Sequence, residues 1–169
     1  MNAYIYLIAS LMGFIHQKDP LLIKSYYSDQ MINFIFSCLP KHGILRKDEQ
    51  GLVYVKIDNN YIHQIVEFIK HEGFVPPPYF GEGKHGAHIT VMTPEETLYY
   101  ALGDIKECGR LIKFEPKNCQ IVYPEAWGPG QQACLITVEA PALHHIREKY
   151  KIPQKKYEFH ITVGVRCQK

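Results

Sequence analysis

"HITV" occupies His88–Val91 within "KHGAHITVMTPEE" (residues 84–96), and it returns at His160–Val163 within "YEFHITVGVR" (residues 157–166). Each copy alternates polar and aliphatic residues, which is the pattern of a half-buried β-strand. Alternate side chains of a strand point to the same face, so each histidine shares a face with its threonine. The repeat therefore predicts two similar strands, each presenting an imidazole and a hydroxyl on one side and an aliphatic pair to a core.

The segments that precede the two copies share an order of elements. Residues 54–65 and 135–146 each read as a strand that ends at an acid, Asp58 or Glu139, and continues into a helix. A strand–helix–strand unit used twice suggests two lobes related by a pseudo-two-fold axis, which would bring both tetrapeptides to one central cleft. We therefore predict a bilobal α+β fold, with two mostly antiparallel sheets around that cleft, helices outside and a helical N-terminal extension.

The first third of the chain differs from the rest, because it is apolar and aromatic and carries helix signals. A helix is predicted to start at Asp19–Pro20 and to end near Pro40 and Gly43. Its apolar positions at roughly helical spacing are Leu22, Tyr26, Ile32, Ile35 and Phe36. We place the helical N-terminal extension at residues 1–50 and the bilobal domain at residues 51–169.

Hydrophobic periodicity predicts the remaining elements. The predicted strands are 52–58, 87–93, 110–116, 118–124, 133–139 and 157–166. The predicted helices are 60–73, 94–103 and 141–150. Gly73 would stop the first of these helices, and Pro94 and Pro141 would open the other two. Loops are predicted at residues 75–86 and 125–132, where proline and glycine are frequent.

Composition indicates the class of partner and the compartment. The formal net charge of +2 is too small for a long nucleic-acid duplex to be the main partner, but it suits a small anionic substrate or a nucleic-acid end. The five cysteines include no C-x-x-C pair, which argues against a disulfide framework or a zinc ribbon and favours a cytoplasmic compartment. The apolar run at residues 3–14 is too short to span a membrane and lacks a preceding basic region, so no membrane partner is predicted.

Two facing pairs of imidazole and hydroxyl suit acid–base chemistry on a phosphodiester. The ordinary pKa of histidine, about 6.5, allows one ring to be neutral while the other is protonated near neutral pH. One ring would take a proton from the nucleophile and the other would give a proton to the leaving group. The hydroxyls would donate to the non-bridging oxygens, whose negative charge grows in the transition state.

The paired His-x-Thr-x strands resemble the 2H phosphoesterase superfamily, which includes the LigT-like cyclic phosphodiesterases, over roughly Leu52–Arg166. The resemblance implies a metal-independent hydrolase that cleaves a 2′,3′-cyclic phosphate or a related nucleotide or RNA phosphodiester, with no cofactor. It implies an active site formed by His88, Thr90, His160 and Thr162. The partner would be a nucleotide or RNA-end substrate, and no obligate protein partner is implied. The alternative is a non-catalytic nucleotide- or RNA-binding module of the same fold.

Substrate contacts are predicted on the strands beside the two motifs. Lys56 and Thr137 occupy equivalent positions in the aligned segments, so both would line the cleft, with Lys56 as a phosphate-binding cation. The alternative for Lys56 is a solvated lysine on an edge strand. Tyr54 shares the face of Lys56, and its ring is either a platform for a base or ordinary packing in the sheet.

Two loops add further candidates for substrate binding. Tyr79 and Phe80 lie just before the first motif, where their rings would stack on a base, and Lys84 or His85 would meet phosphate. Trp127 is a similar candidate in the second loop. The alternative is a proline- and glycine-rich loop whose aromatic rings cap the core. Because loops next to catalytic strands are often functional, we expect substrate contact for the first loop.

Alternation along the last predicted strand assigns the neighbours of His160 to faces. Glu158 and Arg166 would share the face of His160, and Tyr157 would point to the opposite face. Arg166 is interpreted as a solvated strand end rather than a phosphate ligand.

No metal site is predicted from the paired histidines. His85 and His88 would lie on opposite faces of a continued strand, and His144 and His145 would diverge by about 100° on a helix. No convergent carboxylate or cysteine spacing accompanies either pair.

Overall fold

The structure of the chain is a computed structural model that describes residues 21–22, 26–124 and 127–167. The strands are β1 (Leu21–Leu22), β2 (His42–Lys47), β3 (Val53–Lys56), β4 (His88–Met92), β5 (Leu111–Lys113), β6 (Glu115–Val122), β7 (Gln131–Glu139) and β8 (Phe159–Cys167). The helices are α1 (Tyr26–Cys38), α2 (Asn60–His63), α3 (Ile65–Ile69), α4 (Pro94–Tyr99) and α5 (Pro141–Lys149), and a 3-10 turn (Lys70–Glu72) extends α3. Within the described ranges, no helix is both long and apolar enough to cross a membrane.

The described strands form one antiparallel sheet of eight strands in the order β1-β6-β7-β8-β4-β3-β2-β5. The α+β class is therefore confirmed. The prediction of two separate sheets is wrong, because β4 and β8 pair directly and join both halves of the chain into one sheet. The strands that carry the two tetrapeptides thus lie side by side at the centre of the sheet.

The β4–β8 junction, which we call the central seam, is narrow. Its described pairing consists of Ile89 opposite Ile161. By contrast, β7 and β8 pair along almost their whole length, from Gln131 opposite Cys167 to Val138 opposite Phe159. The sheet is therefore least bonded where the two motifs meet.

The aliphatic residues of both tetrapeptides anchor the strands in the core. Ile89, Val91, Ile161 and Val163 are all 0% exposed, whereas the histidine and threonine that alternate with them in each strand are half-buried. Burying such an aliphatic side chain contributes roughly 1.5–3 kcal/mol to stability. The alternation predicted from the sequence is confirmed, and it fixes which side of each strand carries the polar groups.

Two of the predicted helix signals have the expected geometry. Thr93 caps α4 by accepting a hydrogen bond from the Glu96 N–H at 3.2 Å, and the Glu96 carboxylate accepts from the Thr93 N–H at 2.9 Å. Gly73 ends the 3-10 turn with φ of 84°, a left-handed conformation that favours glycine. Local sequence therefore sets the point where α4 begins and the point where the α3 segment ends.

The N-terminal helix prediction needs correction. Asp19–Pro20 lies outside the described residues, Leu22 belongs to strand β1, and α1 begins at Tyr26. Gly43 is not a helix stop but part of β2, where an added Cβ would lie 2.3 Å from the carbonyl oxygen of Lys56. The predicted helical extension, residues 1–50, therefore also contains strands β1 and β2 of the main sheet. The division of the chain at residue 50 stays a prediction.

A β-bulge in β8 changes the assignment of Arg166. Cys134 is opposite Gly164 but Leu135 is opposite Thr162, so Val163 is an extra residue that reverses the alternation beyond it. Arg166 therefore points away from the face of His160. Its guanidinium lies 4.4 Å from the ring centre of Phe74, so the interpretation of Arg166 as a solvated strand end is wrong.

Candidate functional site

The four predicted catalytic residues flank the central seam on one face of the sheet. Ile89 and Ile161 are cross-strand partners and therefore point to the same face. Their neighbours in each strand, His88, Thr90, His160 and Thr162, must then point together to the opposite face. All four of these side chains are half-buried. The structure thus brings both imidazole–hydroxyl pairs to one partly open surface.

Both histidine rings are held in the same way. The Nδ1–H of His88 donates to the carbonyl oxygen of Gly86 at 2.8 Å, and the Nδ1–H of His160 donates to that of Glu158 at 3.1 Å. A carbonyl oxygen only accepts hydrogen bonds, so Nδ1 must carry the hydrogen in each ring. The lone pair of each neutral imidazole is consequently on Nε2, where it is available to a substrate.

The surroundings of the two rings favour their neutral forms. Burial lowers the pKa of His88, against the opposing effect of the Gly86 hydrogen bond, and the nearby His85 lowers it further. Burial lowers the pKa of His160 to about 4, and Lys155 and His88 add to this effect. Burial is the largest of these effects on the pKa of His160 and the electrostatic effect of His88 is the smallest.

Tyr79 links the two motifs. Its ring lies 4.7 Å from that of His88, and its hydroxyl donates to the carbonyl oxygen of Thr162 at 3.3 Å. Burial raises the pKa of Tyr79 to about 12, so the hydroxyl remains a donor at neutral pH. Tyr54 also contacts the His88 ring, at 5.6 Å, and is only 8% exposed. The contacts of Tyr54 therefore favour the packing interpretation over base stacking.

His85 lies beside His88, contrary to the prediction that the two point to opposite faces. Their ring centres are 5.9 Å apart, because β4 begins only at His88 and Gly86 turns the chain with φ of 73°. The His85 Nε2 contacts the carboxylate of Asp48 at 2.7 Å. Although burial tends to raise the pKa of Asp48, hydrogen bonds from His85 and from the backbone hold it below the ordinary value. The anionic carboxylate of Asp48 therefore contacts His85, and the ring of His85 in turn lies beside that of His88.

A cleft of about 350 Å³ opens beside the second motif, and we call it the His160 cleft. Its lining includes Trp127, Tyr157, Glu158, His160 and Thr162. Trp127 is 45% exposed, so its indole remains accessible. Tyr157 was predicted on the opposite face, but it lies before the start of β8 and its ring is 5.6 Å from that of His160. Aromatic and polar groups thus share this cleft with half of the predicted catalytic residues.

Lys56 and Thr137 both lie beside the motifs, but in different states. Lys56 is exposed and is the cross-strand partner of His88, so it belongs to the same face of the sheet. Thr137 is the partner of His160 and lines the His160 cleft, yet it is only 3% exposed. Its hydroxyl accepts from the Asn118 N–H at 3.2 Å and donates to the Asn118 carbonyl oxygen at 3.4 Å. Lys56 is free to meet a phosphate, whereas the Thr137 hydroxyl holds the irregular part of β6.

The other two candidates from the first loop are engaged in packing. The Phe80 ring lies 4.6 Å from the ring of His63 and packs against the core. The Lys84 ammonium folds back and donates to the carbonyl oxygen of Pro78. These contacts favour the interpretation of Phe80 as a cap on the core and leave Lys84 exposed on its own loop.

The sequence reasoning missed Lys155, which places a positive charge near His160. Its ammonium lies 5.2 Å from the ring centre of Tyr157 and 5.6 Å from that of Phe159. Burial lowers the pKa of Lys155 to about 8, although Glu96 partly opposes this effect. The only signal in the sequence was a pair of lysines just ahead of the second motif, which is common on solvated surfaces.

The adjacent histidines of α5, His144 and His145, are not predicted to bind a metal ion. The His144 ring contacts the side chain of Gln154 at 2.8 Å instead. Throughout the described part of the chain, no group of three or more His, Cys, Asp or Glu side chains could hold a metal ion.

Comparison with protein-family models matches residues 53–168 to the family described as "Swiss Army Knife, 2H phosphoesterase domain". The match covers more than half of the chain and includes both tetrapeptides. The chain belongs to the 2H phosphoesterase family. The superfamily predicted from the His-x-Thr-x strands is therefore confirmed, and this 2H phosphoesterase domain indicates a phosphodiesterase type of activity. Comparisons with curated proteins and with solved structures gave no match.

Proposed function

We propose that this 2H phosphoesterase is a metal-independent phosphodiesterase that hydrolyses a 2′,3′-cyclic phosphate or a related nucleotide or RNA phosphodiester. The observation that carries the proposal is the placement of His88, Thr90, His160 and Thr162 on one face across the central seam. The matched Nδ1 hydrogen bonds support it, because they leave both Nε2 atoms available for proton transfer.

The proposed reaction is a displacement at phosphorus with one proton moved at each end. The Nε2 of one neutral imidazole takes a proton from water as the water oxygen bonds to phosphorus. The other imidazole, protonated, gives its Nε2 proton to the ribose oxygen as the bond from that oxygen to phosphorus breaks. Thr90 and Thr162 donate to the non-bridging oxygens, where negative charge increases in the transition state. The two histidines end with exchanged protonation states and must trade one proton with solvent before the next turnover.

The His160 cleft supports a nucleoside as the group attached to the phosphate. Its volume of about 350 Å³ suits a small ligand, and Trp127 and Tyr157 offer aromatic faces. A base stacked on such a ring gains roughly 1–3 kcal/mol. Lys56 is the cation that we assign to the phosphate on the other side of the seam, because it is the cross-strand partner of His88.

The proposal also includes the finer architecture and the compartment. The order β7-β8-β4-β3 puts the two strand–helix–strand units side by side about the seam, which supports a pseudo-two-fold relation within residues 51–169. Cys38, Cys108, Cys119 and Cys134 are free thiols, which supports a reducing, cytoplasmic setting.

A substrate panel in the presence of EDTA tests the proposed function. We expect hydrolysis of at least one 2′,3′-cyclic nucleotide, cyclic oligonucleotide or short RNA with a cyclic phosphate end, identified by the mass of its product. Activity should be unchanged by EDTA, because the proposed groups transfer protons without a metal ion. Activity that EDTA removes and zinc restores would contradict the proposal. Binding of a panel member without hydrolysis would instead favour the non-catalytic module.

The pH optimum of kcat/KM should lie on the acidic side of neutral pH. The profile of kcat/KM reports the base and the acid of the free enzyme, and the pKa of each histidine lies below its usual 6.5. Activity is lost as the pH falls through the pKa of the base, and lost again as the pH rises through that of the acid. We therefore expect a bell with its maximum between about pH 4 and 6.5.

The corresponding profile of kcat should lie at higher pH. An anionic phosphate bound between the rings stabilises the imidazolium form and so raises both pKa values in the complex. Rates measured from about pH 3 to 9 at low and at saturating substrate would separate the two profiles. A kcat/KM maximum above pH 7 would show that the free rings do not titrate as described.

A further inference from the structure

Asn59 stands at the first turn of α2 but does not cap that helix. Its side chain makes no capping hydrogen bond, although asparagine is among the preferred residues at this position. The neighbouring Asp58 carboxylate instead accepts from the Asn60 N–H at 2.8 Å. The Asn59 Oδ1 accepts from the N–H of Ala87 at 3.0 Å, far along the chain. The amide of Asn59 therefore serves the start of β4 and not its own helix.

The bond from Ala87 controls the direction of the Gly86 carbonyl. The C=O of Gly86 and the N–H of Ala87 belong to one planar peptide unit and point to opposite sides of it. Asn59 holds the N–H side, and His88 Nδ1 donates to the C=O side at 2.8 Å. A rotation of this peptide that breaks the first hydrogen bond must also turn the carbonyl away from the His88 ring.

Glycine at position 86 makes this arrangement possible. Gly86 has φ of 73°, which other residues rarely adopt, and an added Cβ would lie 2.4 Å from the Asn59 Oδ1. The next carbonyl, that of Ala87, accepts from the Ile57 N–H at 3.1 Å, which fixes the far end of the segment. The peptide between Gly86 and Ala87 is thus clamped on both of its polar sides.

We propose that Asn59 is a positioning residue for His88, which acts through the Gly86–Ala87 peptide to keep the hydrogen on Nδ1 and the lone pair on Nε2. The proposal deepens the proposed function, on which its turnover measurements rest. The state of the ring itself can be measured without any substrate. The two ideas can therefore fail separately.

The test compares Asn59→Ala with Asn59→Asp, and uses Asn60→Ala as the matched control. Asn59→Asp keeps an oxygen acceptor for the Ala87 N–H, whereas Asn59→Ala removes it. Long-range ¹H–¹⁵N spectra of the imidazole nitrogens, assigned with His88→Ala, report which nitrogen carries the hydrogen. We expect Nδ1–H in the native protein, in Asn59→Asp and in the control, and a mixture with Nε2–H in Asn59→Ala.

Turnover should follow the state of the ring. We expect Asn59→Ala to lower kcat by on the order of tenfold with little change in KM, as when the outer partner of a functional imidazole is removed. The conservative Asn59→Asp and the Asn60→Ala control should stay near the native kcat. If Asn59→Ala does not fold, Asn59→Leu, which has a similar volume and also lacks an acceptor for the Ala87 N–H, replaces it in both measurements.

Three results would overturn the inference. The first is a native spectrum with the hydrogen of His88 on Nε2. The second is a folded Asn59→Ala with an unchanged ring and unchanged kcat. The third is a change in the state of the His88 ring and in kcat that is as large in Asn59→Asp as in Asn59→Ala. A native protein with no turnover at all would instead overturn the proposed function and leave the spectra to judge Asn59.

Discussion

Alanine in place of His88 or of His160 should each lower kcat/KM by roughly 100- to 10,000-fold, the contribution of one positioned acid or base. In the proposed mechanism the two rings act in the same step, one at the attacking oxygen and the other at the leaving oxygen. The double variant should therefore be little slower than the worse single variant. Catalysis by the pair needs both rings, so either single change already removes it. Initial rates with the best substrate of the panel would measure all three effects.

Folding should survive these changes. Both imidazoles point to the half-buried face of the sheet, and each hydrogen-bonds a carbonyl of its own strand segment instead of a distant element. His145→Ala is the matched control, because this histidine is exposed on α5 and does not line the His160 cleft. Circular dichroism and thermal melting would check the fold. Full activity in either single variant, with the fold intact, would remove that histidine from the proposed mechanism.

Replacing Arg147 by alanine should lower the free energy of unfolding by between about 1 and 5 kcal/mol. The Arg147 side chain is buried but that of Glu96 is 23% exposed, so the loss should lie between that of an exposed and that of a buried ion pair. Arg147 is only 1% exposed, although it belongs to the surface helix α5. It donates to the Val91 carbonyl oxygen at 2.6 Å, to the Pro153 carbonyl oxygen at 3.0 Å, and to the Glu96 carboxylate. This one side chain thus joins β4, α4 and the segment that leads to β8.

Its loss would remove the guanidinium that pairs with the Glu96 carboxylate. Burial tends to raise the pKa of Glu96, and the hydrogen bond and charge of Arg147 overcome that effect and keep it below the ordinary value. Glu96 also caps α4 through Thr93, so the damage would spread to that helix. Urea unfolding monitored at equilibrium would measure the change, with Arg110→Ala as an exposed control that should shift stability by less than about 0.5 kcal/mol. A loss below about 1 kcal/mol in Arg147→Ala would show that the network is not a major support of the fold.

Local patterns were sufficient to predict the strands of the two motifs. Strict alternation in "HITV" predicted both the polar face and the buried pairs Ile89 with Val91 and Ile161 with Val163. Proline, glycine and acidic residues at helix ends likewise predicted the start of α4 and the stop at Gly73. These features depend on neighbours within a few residues, which a sequence displays directly.

Features that depend on residues far apart in the chain could not be predicted from the sequence. Strand β2 has few buried residues, and it is held by pairing with β3 and β5, so its own pattern is weak. The bulge at Val163 depends on the register with β7, and it moved Arg166 to the other face. The contact of His85 with Asp48 joins residues from separate elements. Such contacts decide which residues of the site are available, and they appear only once the chain is folded.

Because the central seam is narrow, a substrate bound across it would help to hold the two halves of the sheet together. The described pairing between β4 and β8 is limited to Ile89 and Ile161, so the two halves are joined there by fewer backbone hydrogen bonds than their own strands share. A phosphodiester that hydrogen-bonds to groups from both strands would add contacts between β4 and β8. Because a ligand that binds the folded and not the unfolded chain adds RT ln(1 + [L]/Kd) to the free energy of unfolding, the stability of the fold should rise with the concentration of substrate or product.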